Sequence, residues 1–152
     1  CGRMHSFKPV LKHWLVHHLA RDVWEWGPGA STSLILEALP SNGSLTSIEH
    51  DAVWAEKARA SVQDQRWKLH VQAVQKRVSQ YAVCILKAPQ CFDLIFVDGR
   101  RRVECVFAAL QKLKPHGVIV LHDASRKSYT DLISPYIQVL EYAHDTLVFR
   151  AR

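Results

Sequence analysis

The chain has 152 residues, 48% apolar and 22% charged, with six glycines and six prolines, a composition that excludes disordered, collagen-like and low-complexity classes. No apolar run approaches the roughly 20 residues needed to span a bilayer, so no membrane partner is expected, and the basic, interrupted stretch from Cys1 to His18 is not a secretory signal. The formal charge of +6 favours acidic partners without specifying one; apart from Arg100-Arg101-Arg102 and Arg126-Lys127 the basic residues are scattered, which suits solubility better than a nucleic-acid footprint.

The chain opens on Cys1 rather than Met, which reads as a processed chain, a tag remnant or an excised domain. Pro9 suits the first turn of a helix, where its missing N–H costs nothing, and Val10, Leu11, Trp14, Leu15 and Leu19 follow at helical spacing. Asp22–Trp26 reads as a strand running into the turn Gly27-Pro28-Gly29, after which Ser31 or Thr32 caps a helix carrying Leu34, Ile35, Ala38 and Leu39. Pro40 and Ser41-Asn42-Gly43 end it. Ser44–Glu49 is a second strand, and Asp51 caps a helix with Val53, Trp54 and Ala58. Lys68–Ala73 is a weaker third strand, and Ser79–Leu86 a helix that ends before Pro89.

Phe92–Val97, apolar but for Asp93, has the pattern of a central strand covered on both faces. Val103, Val106, Phe107, Leu110 and Leu113 make another helical stripe, closed by Pro115 and Gly117, and Val118–Leu121 is a fifth strand. After a short polar segment, Tyr136–Tyr142 and Thr146–Phe149 flank Ala143-His144-Asp145 as an antiparallel hairpin. The alternation implies a doubly wound, Rossmann-like α/β fold, a mostly parallel seven-stranded sheet that ends in an antiparallel hairpin strand. One domain is expected over residues 1–152, with an N-terminal helix in 1–21 and a cofactor-binding core in 22–152.

The chemistry concentrates where strands end. In Glu25-Trp26-Gly27-Pro28-Gly29-Ala30-Ser31, Gly27 lets the turn tighten and Gly29 lets backbone approach a ligand. Glu49 ends the next strand 20 residues after Gly29, the spacing at which a carboxylate reaches both hydroxyls of a ribose. A dinucleotide pyrophosphate wants a third glycine and free helix N–H groups; here that position is Ser31, and an acid, Glu25, opens the loop. Both features favour S-adenosylmethionine, which has no phosphate and brings an ammonium for an acid to meet.

Glu25-x-Gly27-x-Gly29 resembles motif I of the class I S-adenosylmethionine-dependent methyltransferases, and Glu49 matches their acidic residue after the second strand. Phe92–Gly99 resembles their motif IV, and Leu113–Ile119 their post-motif segment, with His116 where glycine is common. The resemblance implies a methyltransferase whose cofactor is S-adenosylmethionine, contacted by Glu25, Gly27, Pro28, Gly29, Ser31, Glu49, His50 and Asp98.

Ligands of open parallel sheets sit outside the carboxyl ends of the strands, which brings Gly27–Ser31, Asp98–Arg102 and His122–Arg126 together. Methyl transfer is an in-line displacement that needs an aligned acceptor and, for a hydroxyl, removal of its proton; Asp98, His122 and Asp123 are the candidate catalytic groups. Metal-dependent small O-methyltransferases use an Asp after strand four and an Asp-Asn pair after strand five. Asp98 and Asp123 match the acids and are the expected ligands if a divalent ion is used, but Ala124 replaces the Asn. Val97-Asp98-Gly99-x-Arg101 with His122-Asp123-x-x-Arg126 also resembles the plant glucuronoxylan O-methyltransferases, a hint toward a sugar-like acceptor.

Arg100, Arg101, Arg126 and Tyr129 are the candidate acceptor-binding residues, since a guanidinium grips a carboxylate in bidentate fashion. The expected function is therefore O-methylation of a small or sugar-like, acidic acceptor. Alternatives are an RNA-directed methyltransferase and a non-catalytic S-adenosylmethionine- or nucleoside-binding module; a nicotinamide-dependent oxidoreductase is disfavoured by Ser31. No aromatic–proline tetrad follows the fourth strand, which argues against base amino-group methylation. The four cysteines (Cys1, Cys84, Cys91, Cys105) show no metal-ligand spacing. Cys84 and Cys105 read as core residues, and a reducing, cytoplasmic setting is expected. His13 and His17 share a helix face as surface groups. Trp14, Trp54 and Trp67 are expected in packing, and Trp26 partly exposed beside the cofactor.

Overall fold

The computed structural model describes residues 5–77 and 79–152; Cys1 and the start of the expected 1–21 helical segment lie outside them. Among the described residues six helices, α1 (Lys8–His17), α2 (Ala30–Ala38), α3 (Ala52–Ser61), α4 (Gln80–Val83), α5 (Arg102–Leu110) and α6 (Lys127–Ile133), surround seven strands. The strands are β1 (Asp22–Trp26), β2 (Ser44–Glu49), β3 (Trp67–Val71), β4 (Phe92–Val97), β5 (Leu113–His122), β6 (Ile137–Ala143) and β7 (Thr146–Ala151). They form one sheet in the order β3-β2-β1-β4-β5-β7-β6. The first five are parallel, and β7 runs antiparallel to both β5 and β6. This is the expected doubly wound sheet with its reversed C-terminal hairpin.

Alternation along the central strands sends side chains to two apolar layers. Val23, Leu94, Phe96, Val118 and Val120 meet Phe7, Leu11 and Leu15 of the N-terminal segment and Ile35 of α2. Trp26, Ile95, Val97, Ile119 and Leu121 meet Tyr81 and Ile85, Val106 of α5 and Ile133 of α6. Each layer is buried hydrophobic surface, the dominant favourable contribution to folding. Asp93 is the polar interruption in β4: one carboxylate oxygen accepts the Arg21 and Asp22 amides at 3.0 and 2.8 Å and lies 3.2 Å from Lys114 Nζ. Although burial alone would raise it, these donors hold its carboxyl below the ordinary value.

Several elements differ from the sequence reading, each for a local reason. α1 stops at His17, and Leu19 turns outward in a left-handed conformation (φ 47°) instead of joining the stripe. Gly29, not Ser31 or Thr32, is the N-cap of α2; the Thr32 hydroxyl accepts the Gly29 amide at 3.1 Å. Asp51 caps α3 as expected, accepting the Val53 and Trp54 amides, but Val53 and Trp54 are exposed and Ala55 is the buried residue. The weak third strand lies at Trp67–Val71, one residue earlier than expected at its start. The expected helix at 79–86 is split into α4 and a 3-10 turn, Cys84–Lys87.

Leu113 belongs to β5, because the Pro115–Gly117 break is a bulge inside that strand. The register jumps from Phe92↔Leu113 to Leu94↔Val118 there. α6 fills the segment read as merely polar. Trp26 is fully buried, its indole N–H donating to the Tyr81 carbonyl at 2.7 Å, so it does not flank the cavity described below. Cys105 is buried and Cys84 half-buried. No helix among the described residues is long and apolar enough to cross a membrane.

Candidate functional site

A cavity of about 780 Å³ opens over the carboxyl ends of β1, β2 and β4. Every expected loop and acceptor residue outside the sheet interior lines it: Gly27, Pro28, Gly29, Ser31, Glu49, His50, Asp98, Arg100, Arg101, Arg126 and Tyr129. Arg102, from the segment expected at this edge, also lines it, and His5, Phe7 and Trp54 share the wall without any signal in the sequence that places them there. Glu25, His122 and Asp123 do not line it.

The loop is shaped by its two glycines in different ways. Gly27 has φ +84°, and a Cβ there would sit 2.8 Å from the Asp98 carbonyl oxygen, so only glycine lets β1 turn this close to the loop leaving β4. A Cβ on Gly29 would meet nothing within 4 Å; it would project into open space beside the cavity. Gly27 is therefore required by the fold, and Gly29 keeps the surface bare.

Glu25, expected to meet a cofactor ammonium, is turned into the fold and does not line the cavity. Its side chain is fully buried, and both carboxylate oxygens are engaged: Oε2 accepts from Ser31 Oγ at 2.8 Å, and Oε1 from Thr32 Oγ1 at 2.5 Å and Ser47 Oγ at 2.7 Å. It thus ties β1 to β2 and to the first turn of α2. Burial pushes its carboxyl up to about 7, against the lowering pull of the three hydroxyls.

Glu49, nearly buried at the end of β2, is held on one side only. Oε2 accepts the His50 and Asp51 amides at 2.7 and 2.9 Å and lies 2.9 Å from His50 Nδ1. Oε1 has no hydrogen-bond donor among the described residues. A carboxylate fixed by backbone amides, on a cavity wall, with one oxygen unoccupied, is arranged to accept hydrogen bonds from a ligand diol. Trp54 links the neighbouring walls, its indole N–H donating to the Pro28 carbonyl at 3.0 Å.

At the ends of β4 and β5, Asp98 and Asp123 are bridged by a cation of the chain itself. Arg102 Nη2 is 3.2 Å from Asp98 Oδ1, and Nη1 is 3.4 Å from Asp123 Oδ2. The same guanidinium donates to the His122 carbonyl at 2.5 Å and to the Gly99 carbonyl at 3.0 Å. His122 lies under the pair, with Nδ1 2.8 Å from Asp98 Oδ1 and Nε2 3.1 Å from Ser6 Oγ. Phe7 packs edge-on to its ring. Burial lowers the imidazole's pKa, but the Asp98 hydrogen bond and the charges of Asp98 and Asp123 outweigh it and hold the group above its ordinary value.

His122 is 4% exposed, and both ring nitrogens have partners, so it is placed to orient Asp98 rather than to reach a substrate. Asp98 Oδ2 has no hydrogen-bond partner among the described residues. No group of three metal-ligating side chains occurs among the described residues. With Arg102 between the two acids and Ala124 buried in place of an Asn, the donor set does not fit a divalent ion.

The arginines differ in how free they are. Arg101, in a left-handed conformation (φ 52°), is taken up by Glu104 at 3.2 Å and by the Gln75 carbonyl. Arg126 is 61% exposed and donates to the Tyr129 hydroxyl at 3.1 Å while lying over its ring. Arg100 is exposed, and its side chain has no partner among the described residues. Its backbone N–H donates to the Tyr81 hydroxyl at 3.2 Å, which pins the loop after β4. Sequence reasoning missed Tyr81, because an aromatic on a four-residue helix carries no periodic signal. Arg102 was legible only as part of a basic run; its spacing four residues after Asp98, one helical turn, was the available clue.

A family described as a methyltransferase domain matches residues 24–124. No curated protein matches the chain. Among solved structures, a methyltransferase-like protein from Silicibacter pomeroyi is similar at 19% identity and a TM-score of 0.78, over 97% of this chain and 85% of that one. The O-methyltransferase TomG from Streptomyces achromogenes, solved with S-adenosylmethionine, gives 20% identity and 0.72 over 93% and 77%. An O-methyltransferase from Bacillus cereus, solved with S-adenosylhomocysteine, gives 17% and 0.75 over 93% and 78%.

Proposed function

The chain belongs to the methyltransferase-domain family, and on that premise we propose that it transfers the methyl group of S-adenosylmethionine to an oxygen of a small or sugar-like, acidic acceptor. The observation that carries the cofactor half is Glu49: a fixed, nearly buried carboxylate on the cavity wall whose Oε1 lacks a donor. Its geometry suits a ribose diol, the bare backbone at Gly29 leaves room alongside, and His50 extends the same wall. Glu25 holds the loop by its three hydroxyl contacts rather than touching the ligand. When bound, S-adenosylmethionine supplies a methyl group activated by its sulfonium.

The chain's own residues then have to align an acceptor oxygen and handle its proton. Asp98 lines the cavity, with Oδ1 fixed by His122 and Arg102 and Oδ2 free of hydrogen-bond partners among the described residues; an acceptor hydroxyl hydrogen-bonded to Oδ2 would be oriented and would pass its proton there. His122 and Asp123 act through this contact as positioning residues. Arg100 and Arg126, exposed at the mouth, suit a carboxylate or phosphate on the acceptor, and Tyr129 offers a ring and a hydroxyl. Arg101 supports the wall, since its guanidinium is already paired.

Calorimetry tests the cofactor: S-adenosylmethionine is expected to bind and NAD not, with Glu49→Ala weakening binding by roughly tenfold or more, as the loss of a charged hydrogen-bond acceptor implies. Unchanged affinity in that variant would remove Glu49 from the site. Labelled methyl transfer across uronic acids, catechols and RNA tests the acceptor; transfer confined to neutral acceptors would reject the acidic class.

A further inference from the structure

We propose that Arg102 is the built-in cation of the strand-end acid pair, occupying the position a divalent metal would need between Asp98 and Asp123, so that the site works without metal. The catalytic half of this rests on the function proposed above; the metal-exclusion half does not. Asp98 and Asp123 end neighbouring strands, and two carboxylates there repel unless a positive charge lies between them. Arg102 supplies it with both terminal nitrogens, at 3.2 and 3.4 Å.

Three further features fix the guanidinium there. Its side chain is only 13% exposed, and it also donates to the His122 carbonyl at the end of β5 and to the Gly99 carbonyl in the loop after β4. Its planar fork spans both carboxylates, a geometry a lysine ammonium does not reproduce. A divalent ion takes carboxylate oxygens at roughly 2.0–2.6 Å; to bind here it would have to expel a guanidinium bonded on every side or share two acids with it at close range. His122 Nδ1, 2.8 Å from Asp98 Oδ1, takes up the same carboxylate oxygen that Arg102 holds, leaving that oxygen no room for an ion.

Arg102 is thus a positioning residue for Asp98 and the reason the acids need no ion.

Manganese titration followed by electron paramagnetic resonance, on the full chain with and without S-adenosylmethionine, tests the exclusion without any acceptor. The wild type is expected to bind no Mn²⁺ at this site at millimolar concentration, and Arg102→Gln, with the acids unmasked, to bind it and to regain melting temperature as Mn²⁺ is added. Mn²⁺ binding by the wild type that is lost in Asp98→Asn would overturn the proposal. Arg102→Lys keeps the charge and guards against a folding failure of the Gln variant; it too is expected to exclude Mn²⁺.

On an acceptor that the enzyme methylates, wild-type turnover is expected to survive EDTA unchanged. Arg102→Gln is expected to lose roughly 10²-fold in kcat with an unchanged KM for S-adenosylmethionine, and Arg102→Lys to recover part of that loss. EDTA inhibition reversed by Mg²⁺ would also overturn it. Failure to methylate any acceptor would count against the proposed function, while the manganese titration would still decide whether Arg102 keeps metal out.

Discussion

Single atoms decide what the two loop glycines do. A methyl group on Gly27 would be forced 2.8 Å from a backbone oxygen and strained by φ +84°. Gly27→Ala is expected to destabilise the fold by about 1–3 kcal/mol, read as a lowered denaturant midpoint. A methyl group on Gly29 meets nothing of the protein, so Gly29→Ala should cost only the poorer N-cap that alanine makes for α2, about 0.5–1 kcal/mol, yet weaken S-adenosylmethionine binding in calorimetry. Equal destabilisation by the two, or undiminished binding in Gly29→Ala, would contradict the division of labour. His116 is a milder case: it stands at φ 66° in the β5 bulge, a region that favours glycine, and His116→Gly should raise stability by up to about 1 kcal/mol.

At the scale of elements, what could be read from the sequence was what local chemistry enforces. β1, β2 and β4 fall on their expected residues because buried central strands announce themselves as apolar runs bounded by turn residues. The hairpin turn His144-Asp145, left-handed at both residues (φ 52° and 56°), was legible from spacing alone. α6 was not, because a seven-residue helix with Ile133 as its buried residue has no apolar period to detect. The extra length of β5 was hidden by Pro115 and Gly117, which usually end elements but here make a bulge.

The same limit applies to the site. Glycines and strand-end acids were visible, whereas the partners that fix them, Tyr81 and Arg102, come from helices whose placement is a tertiary outcome. Asp93 shows the reverse: an oddity in the sequence that the fold explains. It joins β4 to the Arg21-Asp22 backbone and to Lys114 of β5, so Asp93→Ala should cost about 1–3 kcal/mol by leaving two amides short of an acceptor, while Lys114 keeps Asp22 at 2.6 Å. A neutral effect in chemical denaturation would show that water replaces it.

For the molecule as a whole, the buried Glu25 makes stability depend on pH in an unusual direction. Its carboxyl titrates near 7 in the folded chain against 4.5 as the ordinary value. Below about 4.5 the group is protonated whether folded or not, and its contribution is fully present. As pH rises, the unfolded chain ionises first, and the folded state loses ground until Glu25 itself ionises near 7. At 1.36 kcal/mol per pKa unit the loss is about 3 kcal/mol. His122, raised above its ordinary 6.5, loses its contribution in the same sense as pH climbs past that point.

Asp64, lowered to about 2 by its Arg66 contacts, works oppositely: its contribution is present above the ordinary 3.8 and lost as pH falls toward 2. Between these limits the ligand-free protein should be most stable in mildly acid solution. Urea unfolding at pH 5 and pH 8 is expected to show the wild type losing stability across that interval and Glu25→Gln losing about 2.5 kcal/mol less, since at pH 5 the unfolded group is already partly ionised. The glutamine keeps an acceptor for the hydroxyls but has no proton to release. Parallel pH profiles for the two proteins would mean that Glu25 is already ionised when buried, its three hydroxyls having outweighed the loss of water.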